Sequence, residues 1–249
     1  MTVYPNVKIN LGLNVIGKRP DGFHDIETLF IPYFGIRDEL SVEESDELVF
    51  EGSAGVTWDN DLTVQAYELL AGDFDIPPVH IKLVKNAPVG AGLGGGSADA
   101  AFALRAVSDL FSLGLSDEAL AGYASRLGSD CAFFVYNRPM IGTGRGERLE
   151  PCDIDLSGYD IKLVCPEGIS VRTADAYRGI VPGIPQIPLK EALSLPVEEW
   201  KNCLVNDFEK TVFAIHPSLA RIKSDLYEAG AVYAAMSGSG SAMFGLFEK

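Results

Sequence analysis

The sequence predicts an α+β protein, because strand-like and helix-like stretches mix without the regular βαβ alternation of a doubly wound sheet. VHIKLVK, residues 79–85, sets Val79, Ile81 and Leu83 against polar neighbours, the period of a half-buried strand. Past a glycine-rich stretch, Ala100, Leu104, Val107 and Phe111 recur at helical spacing and predict one apolar helix face.

The remaining elements follow in order. DNDLTVQAYELLAGDF, residues 59–74, reads as a helix. SDEALAGYASRLG, residues 116–128, reads as another, with Ser116 as its cap and acidic residues in its first turn. A break near LEPCDIDLSGYD, residues 149–160, precedes a strand beginning at IKLVCP. It predicts two domains, 1–152 and 153–249. GIVPGIPQIPLKEALSLP, residues 179–196, is rich in proline and glycine and reads as a loop crossing. VYAAM and AMFGLF, separated by SGSGS, read as two short strands around a glycine turn.

Composition narrows the class. The apolar fraction of 47% and charged fraction of 22% are those of an ordinary globular protein. No apolar run approaches the ~18 residues of a membrane span, and MTVYPNVKIN lacks the pattern of a signal peptide. Cys131, Cys152, Cys165 and Cys203 are widely spaced with no CxxC pair, so free thiols in a reducing cytoplasm are expected rather than disulfides or zinc. A net charge of −15 repels nucleic acid and anionic membranes. An anionic ligand needs a local site built against that field.

PVGAGLGGGSADAAF, starting at Pro88, places five glycines between Gly90 and Gly96. Three readings compete with a merely tight turn. Gly90-x-Gly92-x-x-Gly95 fits a dinucleotide fingerprint, but the acidic residues about 20 positions on, Asp117 and Glu118, open a helix instead of ending a strand. Gly90 to Ser97 has P-loop spacing, but Gly96 stands where that motif needs Lys. The third reading keeps only the physics. Residues without side chains let the main chain approach a ligand, and a helix start offers unpaired N–H groups and a positive dipole end. That makes a phosphate site. Its charge must come from elsewhere, among Lys8, Lys18, Arg19, Lys82, Lys85, Arg105, Arg138, Arg145 and Arg148. GTGRGE (142–147) and SGSGS (237–241) are either hairpin turns or further anion contacts.

The stretch from Pro88 to Ser97 resembles the phosphate loop of the GHMP kinases, the superfamily of galactokinase, homoserine kinase and mevalonate kinase. Its triple glycine is similar to the branch that phosphorylates 4-diphosphocytidyl-2-C-methyl-D-erythritol in non-mevalonate isoprenoid biosynthesis. KINLGLNVIGKRPDGFHDIETLF (8–30), GSDCAFFV (128–135), GTGRGERLEP (142–151), NDFE (206–209) and MSGSGSAMFGLF (236–247) agree in order and spacing. The resemblance covers nearly the whole chain. It implies two α+β subdomains with the active site in the cleft between them.

It also implies a kinase that moves a phosphoryl group from ATP to a tertiary alcohol. Asp130 is then the base and Lys8 the cation beside it and the phosphate. Pro88, Gly90, Gly92, Leu93, Gly94, Gly95, Gly96 and Ser97 bind ATP. Asn10, Phe23 and His24 hold a cytidine diphosphate-linked polyol, an aromatic and a His suiting a cytosine. Mg²⁺ follows from ATP, with Ser97 as a candidate ligand. From the residues alone, Ser97 reads equally well as the cap of the following helix, Lys8 as a solvent-facing strand residue and Asp130 as a helix cap or turn residue. His80 and His216 read as structural. Three departures stand out. The family's Tyr is Phe23, which stacks but offers no phenol. Its D-N-L is Asn60-Asp61-Leu62, which puts an acceptor-only carboxylate where an amide is expected near adenine. Its V-S-T is Val171-Arg172-Thr173, which adds charge. The alternatives are another small-molecule kinase of the superfamily, acting on mevalonate or homoserine, and a nucleotide-binding protein without catalysis.

Overall fold

The computed structural model describes residues 1–53, 59 and 61–249. Asn60 therefore lies outside the described residues, as does part of the approach to the helix expected over 59–74. The chain forms two compact units, and passes repeatedly from one to the other. Unit 1 is Met1–Lys8, Pro32–Val89 and Gly94–Arg138; unit 2 is Ile9–Ile31, Gly90–Leu93 and Pro139–Lys249. The division expected in sequence was a single cut after residue 152.

Unit 1 contains β1 (Thr2–Val3) and the start of β2 (Asn6–Lys18). The end of β3 (His24–Arg37) leads into β4 (Glu39–Glu44), β5 (Val49–Gly52), α1 (Leu62–Asp73) and β6 (Val79–Val84). After the glycine loop come α2 (Gly95–Leu110), α3 (Asp117–Leu127) and α4 (Cys131–Tyr136). The sheet order is β1-β4-β6-β5. β5 runs parallel to β6, which is why a helical crossover, α1, must join them. Val79, Ile81 and Leu83 of β6 are buried while Lys82 is exposed, as the alternation predicts. Each such apolar side chain contributes about 1.5–3 kcal/mol on burial.

Ala100, Leu104 and Val107 form the buried face of α2, which packs on α1, α3, α4 and β4. Phe111 is not on that face; it is the C-terminal cap and only half-buried. The Ser116 hydroxyl accepts from the N–H of Ala119, capping α3 as expected. Asp61 caps α1, accepting from the N–H and hydroxyl of Thr63. The carboxylate read as a departure near adenine thus has a structural task.

Unit 2 has two sheets. In the first, of order β2-β3-β7-β8, β7 (Met140–Gly144) and β8 (Arg148–Pro151) form an antiparallel hairpin. GTGRGE is its turn, closed by the N–H of Gly146 on the carbonyl of Thr143. The second sheet orders β10 (Tyr233–Met236), β11 (Met243–Glu248) and β9 (Tyr159–Val164), all antiparallel. SGSGS joins β10 to β11, as the sequence predicts. Between β9 and β10 run α5 (Thr173–Tyr177), α6 (Leu189–Leu193), a 3₁₀ turn (Val197–Glu199), α7 (Trp200–Cys203), α8 (Phe208–Ile215) and α9 (Pro217–Glu228). The proline-rich crossing over 179–196 is thus not all loop. Pro188 sits just before the first turn of α6, where its missing N–H costs nothing.

The core of unit 2 gathers Leu13 and Val15 of β2, Phe208 and Val212 of α8, Leu219 of α9 and Met236 and Met243 of β10 and β11. All four cysteines are free, with Cys131 buried. Among the described residues no helix is long and apolar enough to cross a membrane.

Candidate active site

In unit 1 the Lys8 Nζ lies 3.5 Å from the Asp130 Oδ2. The two residues are 122 positions apart in sequence, and the reading of Lys8 as a solvent-facing strand residue is overturned: it is 3% exposed. Burial lowers its pKa, and the neighbouring carboxylate opposes that shift by favouring the ammonium. Asp130 stands at the N-terminal edge of α4, yet its side chain makes no capping bond there. The carboxylate is instead half-buried and turned to Lys8.

The second half of the glycine loop joins this pair. A Cβ on Gly94 would stand 3.2 Å from Lys8 Cε and 3.0 Å from the Phe134 ring of α4. Gly94, not Ser97, is the N-terminal cap of α2, in the left-handed conformation at φ +70°. No side chain satisfies the first N–H groups from that cap position. Ser97 falls in the first turn, with a hydrogen bond linking it to the Cys131 thiol. Pro88 is exposed and Gly95 half-exposed, and Gly96 has only Leu62 Cδ1, at 4.0 Å, near a Cβ position.

The first half of the loop belongs to unit 2. Gly90, Gly92 and Gly94 all have positive φ, which glycine adopts at no steric cost. Gly92 has a further constraint: a Cβ there would lie 2.1 Å from the carbonyl oxygen of Ser237. The Ser237 hydroxyl donates to the Gly92 carbonyl at 3.0 Å, and the Ala242 N–H to the Ala91 carbonyl at 3.0 Å. SGSGS is therefore both a hairpin turn and the bed of the loop. Leu93 is buried, so only its main chain remains to face a ligand.

NDFE has a role that its sequence did not reveal. Asn206 Nδ2 donates to the carbonyls of Met236 and Gly238, both at 2.8 Å, and Asn206 Oδ1 accepts from the Phe208 N–H. Glu209 accepts from the Met236 N–H at 2.9 Å and pairs with Lys223 at 2.6 Å. Asp207 accepts from the Val15 N–H. This motif holds the SGSGS turn from beneath.

Asn10 is buried and donates to the Thr28 hydroxyl, which in turn donates to the Gly12 carbonyl. The turn over 19–23 is closed by the Arg19 N–H on the Phe23 carbonyl, and Arg19 pairs with Asp21 and Asp25. Phe23 projects, 54% exposed, with the Arg145 guanidinium 4.9 Å from its ring centroid. His24 stacks on Tyr177 of α5, centroids 4.5 Å apart and planes 15° apart. Burial, with Lys18 adding, lowers the His24 pKa. Tyr177 escaped the sequence reading; an aromatic at the end of a five-residue helix carries no periodic signal. Arg172, suspected of charging a pocket, is exposed and pairs with Asp175. His80 lies between the carboxylates of Glu43 and Glu51. Among the described residues no three His, Cys, Asp or Glu side chains could together hold a metal.

Known proteins resemble this chain in sequence and fold. The family models of the GHMP kinases N terminal domain and the GHMP kinases C terminal match residues 61–138 and 189–249. A 4-diphosphocytidyl-2-C-methyl-D-erythritol kinase of Parabacteroides distasonis is 49% identical, over 100% of this chain and 92% of that protein. One of Bacteroides fragilis is 48% identical, over 99% and 92%. A crystal structure of 4-(cytidine 5'-diphospho)-2C-methyl-D-erythritol kinase superposes with a TM-score of 0.83 at 33% identity, covering 99% of this chain and 90% of that one. The Methanococcus jannaschii mevalonate kinase structure shares the fold, with a TM-score of 0.73 at 13% identity, covering 100% and 90%. The two family models and this full-length likeness agree: the chain belongs to the GHMP kinases, within the 4-diphosphocytidyl-2-C-methyl-D-erythritol kinase family.

Proposed function

We propose that this protein transfers the γ-phosphoryl group of ATP to the 2-hydroxyl of 4-diphosphocytidyl-2-C-methyl-D-erythritol, a step of non-mevalonate isoprenoid synthesis in the cytoplasm. The observation that carries the reading is the buried Lys8 facing Asp130 beside Gly94, in a chain 49% identical to a kinase of that name. Asp130 takes the hydroxyl proton as the alcohol oxygen attacks phosphorus and the bond to ADP breaks. Lys8 stabilises the charge on the attacking oxygen and the transferring group, a role its burial supports because low exposure strengthens the attraction.

The ATP phosphates lie on Gly90 to Ser97. Alternating positive φ at residues 90, 92 and 94 is the backbone pattern of anion-binding concavities, and α2 adds its dipole. Mg²⁺ would bind together with those phosphates, as it does with a nucleoside triphosphate. It would neutralise phosphate charge, with Ser97 Oγ as the protein oxygen. Asn10, Phe23 and His24 hold the acceptor, and Tyr177, stacked on His24, extends that aromatic surface. Relatives that act on mevalonate or homoserine share only the fold at 13–20% identity, so they give no support to those acceptors.

The test is ADP release from ATP with Mg²⁺, offering the cytidyl-methylerythritol alcohol, mevalonate and homoserine in turn. Turnover of the first alone, reduced by at least about 10²-fold in Asp130→Asn and Lys8→Met, is expected. Equal turnover of all three alcohols refutes the assignment.

A further inference from the structure

Lys85 was one of the cations available to the phosphates, but in the structure it is committed elsewhere. Its ammonium is hydrogen-bonded to Asp38 and, at 2.6 Å, to Asp99. Both carboxylates are buried, at 1% and 2% exposure. Asp38 lies between β3 and β4, and its other oxygen accepts from the N–H groups of Asn86 and Ala87, where the chain enters the glycine loop. Asp99 lies in α2, where the chain leaves it. A Cβ on Gly95 would be 3.2 Å from Lys85 Nζ and 3.2 Å from Ala87 Cβ. The cluster therefore ties the two ends of the loop together beneath the leading turn of α2.

Two physical points separate this from ordinary packing. Well-packed apolar side chains often stabilise as well as a buried ion cluster or better, so the cluster's value lies in geometry. It is also incompletely satisfied: Asp99 Oδ1 is buried without a hydrogen-bond partner. An apolar residue at that position would avoid the desolvation, but could not draw α2 onto Lys85.

We propose that Asp38, Lys85 and Asp99 are positioning residues for the nucleotide, setting the pose of Gly94 to Ser97 without touching the ligand. This rests on the reading of that loop as the ATP phosphate site. Burial raises the Asp99 pKa to about 7, so Asp99→Asn keeps the side-chain shape and, above that pH, removes the charge that pulls on Lys85. It is expected to raise KM for ATP by about tenfold, with kcat and KM for the alcohol within about twofold of the parent. Asp38→Asn, on the far side of Lys85 from α2, gives the same selective rise. The two together give less than the product of the single effects, because both act through one ammonium. Lys85→Arg, which keeps the charge but misplaces it, shows the same split and serves if an amide variant does not fold. A purely structural cluster would lower the folded fraction, and with it the apparent kcat, while leaving both KM values alone. That pattern, or an equal rise in both KM values, overturns the proposal. Failure of the parent protein to use ATP overturns the functional reading first, and this one with it.

Discussion

Replacing Gly96 by Ala separates two reasons for a glycine. Its Cβ would meet nothing closer than Leu62 Cδ1 at 4.0 Å, and its φ is not in the left-handed region. The position is exposed and helical. Alanine outranks glycine in a helix by up to about 1 kcal/mol. For a protein of this size that corresponds to a Tm higher by roughly 2–4 °C. If the main chain of the loop lies against phosphates, however, the added methyl intrudes on the ligand. The expected result is a protein as stable or more so, with KM for ATP raised about tenfold or more. Thermal unfolding without ligand and initial rates against ATP concentration measure both. The contrast is Gly92→Ala, at φ +76° with its Cβ 2.1 Å from the Ser237 carbonyl oxygen. Left-handed strain of about 1–2 kcal/mol and overpacking of about 1–3 kcal/mol make that change destabilising by about 2–5 kcal/mol. A Gly96→Ala protein with a raised Tm and unaltered ATP kinetics would refute the phosphate reading of the loop.

Three further outcomes follow from the same geometry. Burial lowers the Lys8 pKa from 10.5, so activity is expected to fall with rising pH before an ordinary lysine would lose its proton. The unfolded chain keeps that proton up to its ordinary value, so stability rises with pH over the same window; a rate that stays flat up to pH ~10 would argue against a charged Lys8 in the reaction. Asn206→Ala removes three buried hydrogen bonds and is expected to cost about 3 kcal/mol, lowering Tm by roughly 6–12 °C, as calorimetry would show. Tyr177→Ala leaves His24 without its stacked neighbour and is expected to raise KM for the alcohol several-fold while sparing KM for ATP, which steady-state kinetics would resolve.

Much of the local structure could be read directly from residue order. The strand at 79–84, the Ser116 cap and the C-terminal hairpin were legible because alternation, capping chemistry and glycine turns are local forces. The start of α2 is not settled by the same rules. A serine beside an alanine-rich run looks like a cap, but glycines of positive φ at 90, 92 and 94 put the helix start at Gly94, nearer the N-terminus than side-chain chemistry indicates. The aromatic at 177 and the task of NDFE were illegible, since both depend on partners dozens of residues away.

Residue order by itself determined where glycine had to stand, which stretches alternate and which residues carry reactive groups. It could not determine what those groups face. Lys8 in a strand looks solvated until the fold buries it against Asp130, and Lys85 looks available for phosphate until Asp38 and Asp99 enclose its ammonium. Burial and electrostatic pairing are sums over neighbours brought close by chain folding, so only the tertiary structure decides which of two chemically identical lysines meets one carboxylate and which is enclosed by two.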